Sequence, residues 1–297
     1  MFELRRLRLL HELALRGTIA EVAASLSYSP STVSQQLALL EREAGVALLE
    51  PDGRRVRLTS QGRMLAQHAA RALELDESAR AELTGTPGWE PVRLSAMPTA
   101  AETIVPAALT LLAERAPELR VEVAELPPEE SLFELWARRF DLVIAEQYPG
   151  HTRELRDGVE HDLLGEDPIR IVLPRTEHPV PLHELRDRSW VMEPQGTAAR
   201  QWAVQQCRAA GFEPDVRFEA TDLTAHVRLV ASGHAVGMLP DLIWGDEPSP
   251  LTTAELPGSP VREVFTAVRT GSRRSDGIRA VRAALSDALA SHRTAAE

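Results

Sequence analysis

Between Leu4 and Gly45 the chain carries three segments of helical periodicity, cut so short and punctuated so sharply that they must pack on one another. Leu4, Leu7, Leu10 and Ala14 recur at the three-and-four spacing that lays one stripe along a helix. Gly17 stops that helix. Thr18-Ile19-Ala20-Glu21 then reads as a capping box, in which the Thr18 hydroxyl accepts from a free backbone N–H and Glu21 reaches back. The short helix that follows ends near Ser27-Tyr28. Ser29-Pro30 opens the next, with serine as cap and proline at the first helical position, where its missing N–H is harmless. A third helix runs from about Ser31 to Glu43, and Gly45 ends it. Two short helices joined by a tight turn, after a longer one, form a helix-turn-helix pattern. Val22, Ala23, Leu26, Val33, Leu37 and Leu40 would hold the three together.

The front of the third helix carries Ser31, Thr32, Ser34, Gln35 and Gln36. These polar, uncharged side chains suit hydrogen bonds to base edges in a major groove, and equally an ordinary solvated helix start. The following segment favours the groove. Val46–Leu49 and Arg55–Leu58 read as two short strands, with Asp52-Gly53 as a turn signal between them. Alternation along a strand turns Val56 and Leu58 inward and Arg55 and Arg57 outward, where arginines suit phosphate contacts.

Charge is divided in the same way. The 297-residue chain has a net charge of −11, yet residues 1–71 hold 10 arginines against 7 acidic residues. The remainder holds 23 arginines against 37 acidic residues. A mildly basic unit joined to an acidic body points to two different partners. All 33 basic residues are arginine. That excludes a P-loop lysine, a kinase ATP-pairing lysine and any Schiff-base lysine.

Thr59 opens a long helical run to about Leu83, roughly 37 Å if unbroken. Leu65, Ala69, Ala72, Asp76, Ala79 and Leu83 recur along it, and Ala66, Ala69, Ala70 and Ala72 would let another helix come close. A helix of this length between two domains calls for a partner chain, with packing on its own body as the alternative. Gly85-Thr86-Pro87-Gly88 is the clearest linker in the chain. From Pro91 onward the pattern is mixed. Strands are expected at Val92–Ala96, Leu119–Ala124, Asp141–Ala145, Ile169–Leu173, Ser189–Met192, Val216–Ala220, Ala235–Leu239 and Glu263–Val268. Helices lie between them near 99–116, 130–139, 197–210, 222–232 and 275–292, which predicts a mostly parallel sheet.

Residues 2–83 resemble the N-terminal part of LysR-type transcriptional regulators. The spacing from Gly17-Thr18 through Ala23-Ala24, Ser29, Val33-Ser34-Gln35-Gln36, Leu40-Glu41 and Gly45-Val46 is kept without gaps. The resemblance implies a winged helix-turn-helix over 1–58 and a dimerising linker helix and hinge over 59–88. It assigns Ser31, Thr32, Ser34 and Gln35, with Thr18 and Gln36 beside them, to DNA contact, and Arg54, Arg55 and Arg57 to the wing. The body, 89–297, is similar to the effector-binding domain of the same regulators, and so to periplasmic solute-binding proteins, through LSAMPTAAETIVPAALTLLAERAPELRVEV, DLVIAE and ASGHAVGMLPDL. The expected class is therefore α/β: an all-α winged helix-turn-helix with its linker helix, then a two-subdomain body. Subdomain I would take about 89–162 and 267–297 and subdomain II 163–266, with crossovers near 161–163 and 265–268.

By that resemblance a small-molecule effector sits in a cleft lined by Met97, Pro98, Thr99, Ala145, Glu146, Gln147, Glu193, Gln195, Gly196, Thr197, Asp222 and Gly237. Thr99 and Thr197 stand at helix starts, which suits a carboxylate-bearing effector. Glu146 and Glu193 argue instead for one with donors or an amine. The partners implied are double-stranded operator DNA, the effector and a second copy of the chain, with homotetramers as the family's assembly.

No catalytic set accompanies this pattern. None of the nine histidines forms HExxH, and no GxSxG or GxGxxG occurs. The single cysteine, Cys207, reads as a small buried apolar residue. No cofactor, metal or membrane span is expected. With no secretion signal at Met1-Phe2-Glu3-Leu4-Arg5-Arg6, the expected location is the cytoplasm. The rival is a solute-binding or enzymatic α/β protein with an N-terminal helical interaction module.

Overall fold

The computed structural model describes residues 1–53, 55–83, 89–151, 158–245 and 247–295. Arg54 and the Gly85-Thr86-Pro87-Gly88 linker lie outside the described residues. Helices α1 (Leu4–Arg16), α2 (Ile19–Ser25) and α3 (Pro30–Ala44) enclose a core of Leu7, Leu10, Val22, Ala23, Val33, Leu37 and Leu40. Local signals set their ends. The Thr18 hydroxyl accepts from the Glu21 N–H at 3.2 Å, and the Ser29 hydroxyl from the Thr32 N–H at 3.1 Å. Gly17 at φ 80° takes the left-handed conformation that ends α1.

Strands β1 (Leu49–Asp52) and β2 (Arg55–Leu58) form an antiparallel hairpin with Asp52 opposite Arg55. The first strand therefore lies three residues later than Val46–Leu49. The reason is the Glu41 carboxylate on α3, which accepts from the Leu48 and Leu49 N–H groups at 2.8 and 2.9 Å and ends the ladder there.

Helix α4 (Ser60–Leu83) starts against this hairpin. A Cβ on Gly62 would stand 2.1 Å from the Leu48 carbonyl oxygen, so only glycine allows the approach. Ala66, Ala69 and Leu73 are buried, with Ala66 and Ala69 in the core shared with α1. Small residues expected at a seam between chains thus face α1 of the same chain. Met64, Leu75 and Leu83 stay exposed.

The body has two lobes. In the first, β3 (Val92–Ala96) pairs in parallel with β4 (Val121–Glu125) and with β5 (Leu142–Gln147). Helices α5 (Pro98–Glu102), α6 (Ile104–Arg115) and α7 (Pro128–Trp136) connect them. The expected single helix over 99–116 is broken at Thr103, because Pro106 has no N–H to offer the Glu102 carbonyl. Next comes β6 (Val159–Leu173), which leads to the second lobe: β7 (Ser189–Met192), α8 (Ala198–Ala209), β8 (Asp215–Glu219), α9 (Leu223–Ala231), β9 (Gly237–Pro240) and β10 (Thr252–Glu255). Strand β11 (Val261–Arg269) returns to the first lobe, and α10 (Asp276–Ala295) closes on α6.

The sheet is not mostly parallel. β6 and β11 run antiparallel from Val159 opposite Arg269 to Pro168 opposite Val261. Beyond that point β6 pairs with β9 and β10, also antiparallel, and β11 pairs antiparallel with β5. The chain passes the waist twice in opposite directions, so the strands that carry it must oppose each other. The expected crossovers fall within these two strands, and β6 changes partners at Pro168/Ile169. Its first half, VEHDLLGEDP, is too polar to show strand periodicity, and TTAE of β10 has almost no apolar signal.

The linker helix is clamped to the first lobe. The Glu77 carboxylate of α4 takes Arg269 at 2.6 and 2.9 Å and also Arg138. Arg269 reaches Asp141 at 3.1 Å, which Arg93 grips at 2.8 and 2.9 Å. Burial would raise the Glu77 pKa, but the two guanidinium groups outweigh it and hold it below the usual carboxylate value. Helix α1 rests on α7 in a similar way: Arg16 donates to both Glu134 oxygens at 3.0 and 2.7 Å. Removing one partner of a buried ion pair strands the other. Glu77→Ala should therefore cost roughly 3 kcal/mol of stability. Denaturant unfolding of the variant checks this, and an unchanged midpoint would contradict the clamp.

Candidate nucleic-acid interface and effector cleft

At the N-terminal end of α3, Ser31, Ser34 and Gln35 are exposed and Thr32 is partly so. Two of these hydroxyls already have a local partner, since Ser29 Oγ lies 2.8 Å from both Ser31 Oγ and Thr32 Oγ1. Gln36 is tied inward, its Oε1 accepting from Arg6 Nε at 3.0 Å. The Thr18 oxygen is engaged in capping α2. On the hairpin Arg55 and Arg57 point to solvent, with Arg57 Nε 3.1 Å from Glu50. Arg54 lies outside the described residues. Among the described residues of this face, Ser31, Ser34, Gln35 and Arg55 are exposed, Ser31 with its hydroxyl already beside that of Ser29.

The second site is a cleft between the lobes, about 1410 Å³ including its open mouth. It is built around Arg262, the second residue of β11, which is 2% exposed. Its Nε donates to Asp167 Oδ2 at 2.9 Å and its Nη2 to Thr99 Oγ1 at 2.8 Å, while Nη1 lies 3.3 Å from Glu146. Asp167 also accepts from the Leu242 N–H at 2.9 Å. One guanidinium thus joins α5, β5, β6 and β11 at the waist. Burial opposes its charge, but Asp167 and Glu146 hold its pKa above the ordinary value.

Six of the expected residues line this cleft: Pro98, Thr99, Glu146, Glu193, Thr197 and Asp222. Six do not. Ala145 alternates to the opposite face of β5 and is buried in the core with Leu135 and Phe265. Gln147 stands at the end of β5 opposite Glu263. Met97 is wholly buried in the core below α5. Gly237 is covered on β9, where a Cβ would meet Val191. Gln195 and Gly196 sit exposed on the turn before α8. Nothing in the sequence pattern pointed to Arg262, or to Glu102, Glu125 and Glu129, which also line the cleft from scattered elements.

The cleft is electrostatically lopsided. Burial and the nearby Glu146 push the Glu193 pKa up to about 7. Burial, Asp222 and Glu125 raise that of Glu102. Cys207 lies on the buried face of α8, and burial pushes its thiol up to about 12. It is protonated at neutral pH and a poor nucleophile.

Known proteins share this order of domains. The family described as bacterial regulatory helix-turn-helix protein, lysR family, matches residues 4–63, and the LysR substrate binding domain matches residues 90–290. The chain belongs to the LysR family. It is a DNA-binding transcriptional regulator with an effector-binding domain, a reading supported over the solute-binding or enzymatic alternative. Among relatives, the transcriptional dual regulator GltC of Bacillus subtilis is 28% identical and covers 86% of each chain. OxyR of Escherichia coli is 28% identical over 92% of this chain and 96% of its own. A probable hydrogen peroxide-inducible genes activator of Mycobacterium leprae is 30% identical over 90% and 88%. These relatives are transcriptional regulators. In fold, this LysR-family chain is similar to full-length OxyR of Pseudomonas aeruginosa, with TM-score 0.69 and 22% identity over 96% of this chain and 95% of that one. Full-length BenM gives a TM-score of 0.56 at 19% identity over 98% and 97%. Among the described residues, no helix is long and apolar enough to cross a membrane.

The environments of Glu193 and Cys207 can both be tested in solution. The folded regulator keeps a proton on Glu193 up to about pH 7, whereas an unperturbed glutamate releases it near 4.5. Its ionisation therefore destabilises the fold as pH rises through that window. Glu193→Gln should raise the melting temperature at pH 8, by at most about 3 kcal/mol of stability, and leave it unchanged at pH 4. A pH series of thermal melts reads the difference. For Cys207, a thiol reagent should label the native protein at less than about a hundredth of the unfolded rate, since only an exposed thiolate reacts readily. Rapid native labelling would show that α8 leaves the sulfur accessible.

Proposed function

We propose that this regulator reads operator DNA with Ser31, Ser34 and Gln35 of α3, with Arg54, Arg55 and Arg57 of the wing on flanking phosphates, and that it does so as a homodimer. Thr18, Thr32 and Gln36 would hold the reading helix in place beside these contacts. Met64, Leu75 and Leu83 support pairing through α4, because their own chain leaves them uncovered at 59%, 71% and 77% exposure. The further assembly to a homotetramer follows the resemblance to LysR-type regulators, as does a cytoplasmic location. The chain acts by binding and carries out no reaction. Its three units would be 1–58, 59–88 and 89–297, the last divided at the β6 and β11 crossovers.

The observation that carries the coupling is the layout of β11. Arg262 near its start holds the cleft through Asp167 and Thr99, and Arg269 at its end holds Glu77 of the linker helix. A small effector that favours one closure of the lobes would shift β11 and, through Glu77, the angle at which two reading heads are presented. A peroxide signal stored as an intrachain disulfide does not suit this chain, whose one cysteine is buried.

Phosphate contacts release counterions, so operator affinity should fall steeply with salt. Arg55→Ala with Arg57→Ala should weaken binding to any duplex and flatten the log–log salt slope by roughly 0.9 for each phosphate no longer neutralised. Gln35→Ala should change sequence preference, with one base step losing ~1–3 kcal/mol of discrimination. Fluorescence anisotropy with upstream fragments and scrambled duplexes measures both. Unchanged slopes would remove the wing assignment, and uniform weakening by Gln35→Ala would remove its reading role.

A further inference from the structure

The reading head touches the body at a place that the linker helix does not require, through residues 118 apart in the chain. We propose that Arg16 and Glu134 form a latch that fixes the orientation of the reading head, and that α7 carries the state of the cleft to it. This role rests on the reading above, with α3 on the operator, two chains paired and the effector in the cleft.

Arg16 is the last residue of α1, and Thr18, two positions later, caps α2. Helices α1, α2 and α3 share one packed core, so a displacement at Arg16 carries the reading helix with it. All three guanidinium nitrogens are engaged. Nη1 and Nη2 donate to the two Glu134 oxygens at 3.0 and 2.7 Å, and Nε donates to Glu12 Oε2 at 2.7 Å. The Arg16 and Glu134 side chains are 11% and 8% exposed, and that of Glu12 is wholly buried. A planar fork on a carboxylate tolerates a narrow range of angles, so this pair sets direction as well as distance.

A second contact of different chemistry stands beside the first. His11 of α1 meets Trp136 edge-on, with ring centroids 5.8 Å apart, and the Arg16 guanidinium lies 5.6 Å from the Phe133 ring centroid. Burial and the nearby Arg138 lower the His11 pKa to about 4, so it meets the indole uncharged at neutral pH. A single ion pair would leave the head free to swivel, and two separate contacts do not. The closed latch also carries a cost. Glu12 Oε1 is buried without a hydrogen-bond partner, and burial raises the Glu12 pKa against the pull of Arg16 and Arg8. Opening would return that oxygen to water, which offsets part of what the broken fork loses.

The helix that holds the head also borders the cleft. Pro127, Pro128 and Glu129 at the start of α7 line the cleft wall, while Phe133, Glu134 and Trp136 at its end grip α1. Its nine residues span roughly 13 Å. Ser131 pins it to the sheet between those ends. The Ser131 Oγ lies 2.8 Å from Ser95 Oγ on β3 and donates to the Leu126 carbonyl at 3.2 Å, and both serines are fully buried. A short helix held at its fourth residue turns about that point, so a ligand pressing on its first turn displaces its last. This route reaches α1 directly and does not pass through β11, Glu77 or α4.

The test uses the full-length protein and three duplexes: two operator half-sites at their native spacing, the same half-sites set half a helical turn further apart, and one half-site alone. In fluorescence anisotropy, Glu134→Gln and Arg16→Lys should bind the single half-site about as the parent does, yet lessen the penalty for altered spacing by at least about fivefold. Lysine keeps the charge beside Glu12 and Glu134 but cannot form the fork, so this variant strands neither carboxylate. The two substitutions combined should do no more than the larger single effect, because both break one contact. Glu129→Trp, a wedge at the cleft end of α7, should change the spacing penalty several-fold in the parent and much less in the Glu134→Gln background. A spacing penalty unchanged in both latch variants, or a single-half-site affinity that falls along with it, would overturn the latch. A wedge effect equal in the two backgrounds, or absent from the parent, would overturn the role of α7. Sedimentation separates these results from failure of the pairing they rest on. A monomeric parent would sink the paired heads, whereas a dimeric parent whose variants keep its spacing penalty would sink the latch alone.

Discussion

The buried contact between Arg262 and Asp167 is the constraint on which the rest of the body depends. Four elements meet at this guanidinium, and two of them, β6 and β11, are the strands that join the lobes. A buried ion pair contributes little net stability compared with well-packed apolar residues, because both charges leave water. Its value is geometric. With Thr99 on one nitrogen, Asp167 on two and Glu146 near the third, the waist has few alternative arrangements. Because this one cation is committed to the waist, carboxylates outnumber cations among the described residues of the cleft wall.

The second consequence runs along β11. Seven residues beyond Arg262, Arg269 is also buried, gathered by Glu77, Asp141 and the Leu135 carbonyl. A strand is stiff along its length and is fixed here at both ends by charge-assisted bonds, so displacement at the waist has a direct route to α4. Helix α4 is in turn locked to the hairpin by the close approach at Gly62 and to α1 by Ala66 and Ala69. The two functional regions share a continuous packed path rather than a loose tether.

Much of the fold was legible from one dimension, and the successes share a cause. Caps, stops and periodicity are local, so Thr18, Ser29, Gly17 and Gly45 placed the first three helices closely. The errors arose where a single residue decides or where pattern is weak. Glu41, only seven residues before Leu48, ended the β1 ladder through its side chain, and Pro106 split a helix that periodicity joined, both local signals that periodicity alone does not register. β6 went unread along half its length because a strand that bridges two lobes need not alternate. In the cleft, residues read as neighbours of a strand end were sorted by alternation, which admitted Glu146 and turned Ala145 to the other face. Arg262 carried no motif, because its place at the waist comes from what surrounds it.

The sequence by itself determined the reading head, the long helix behind it, the α/β body and the absence of any lysine chemistry, since each is written in contiguous residues or in composition. Only the tertiary structure decided that the small face of α4 belongs to α1, that the sheet is knit by opposed strands, and that one arginine sits among six cleft carboxylates. Those facts depend on through-space distance between residues far apart in the chain, and local pattern does not encode that distance.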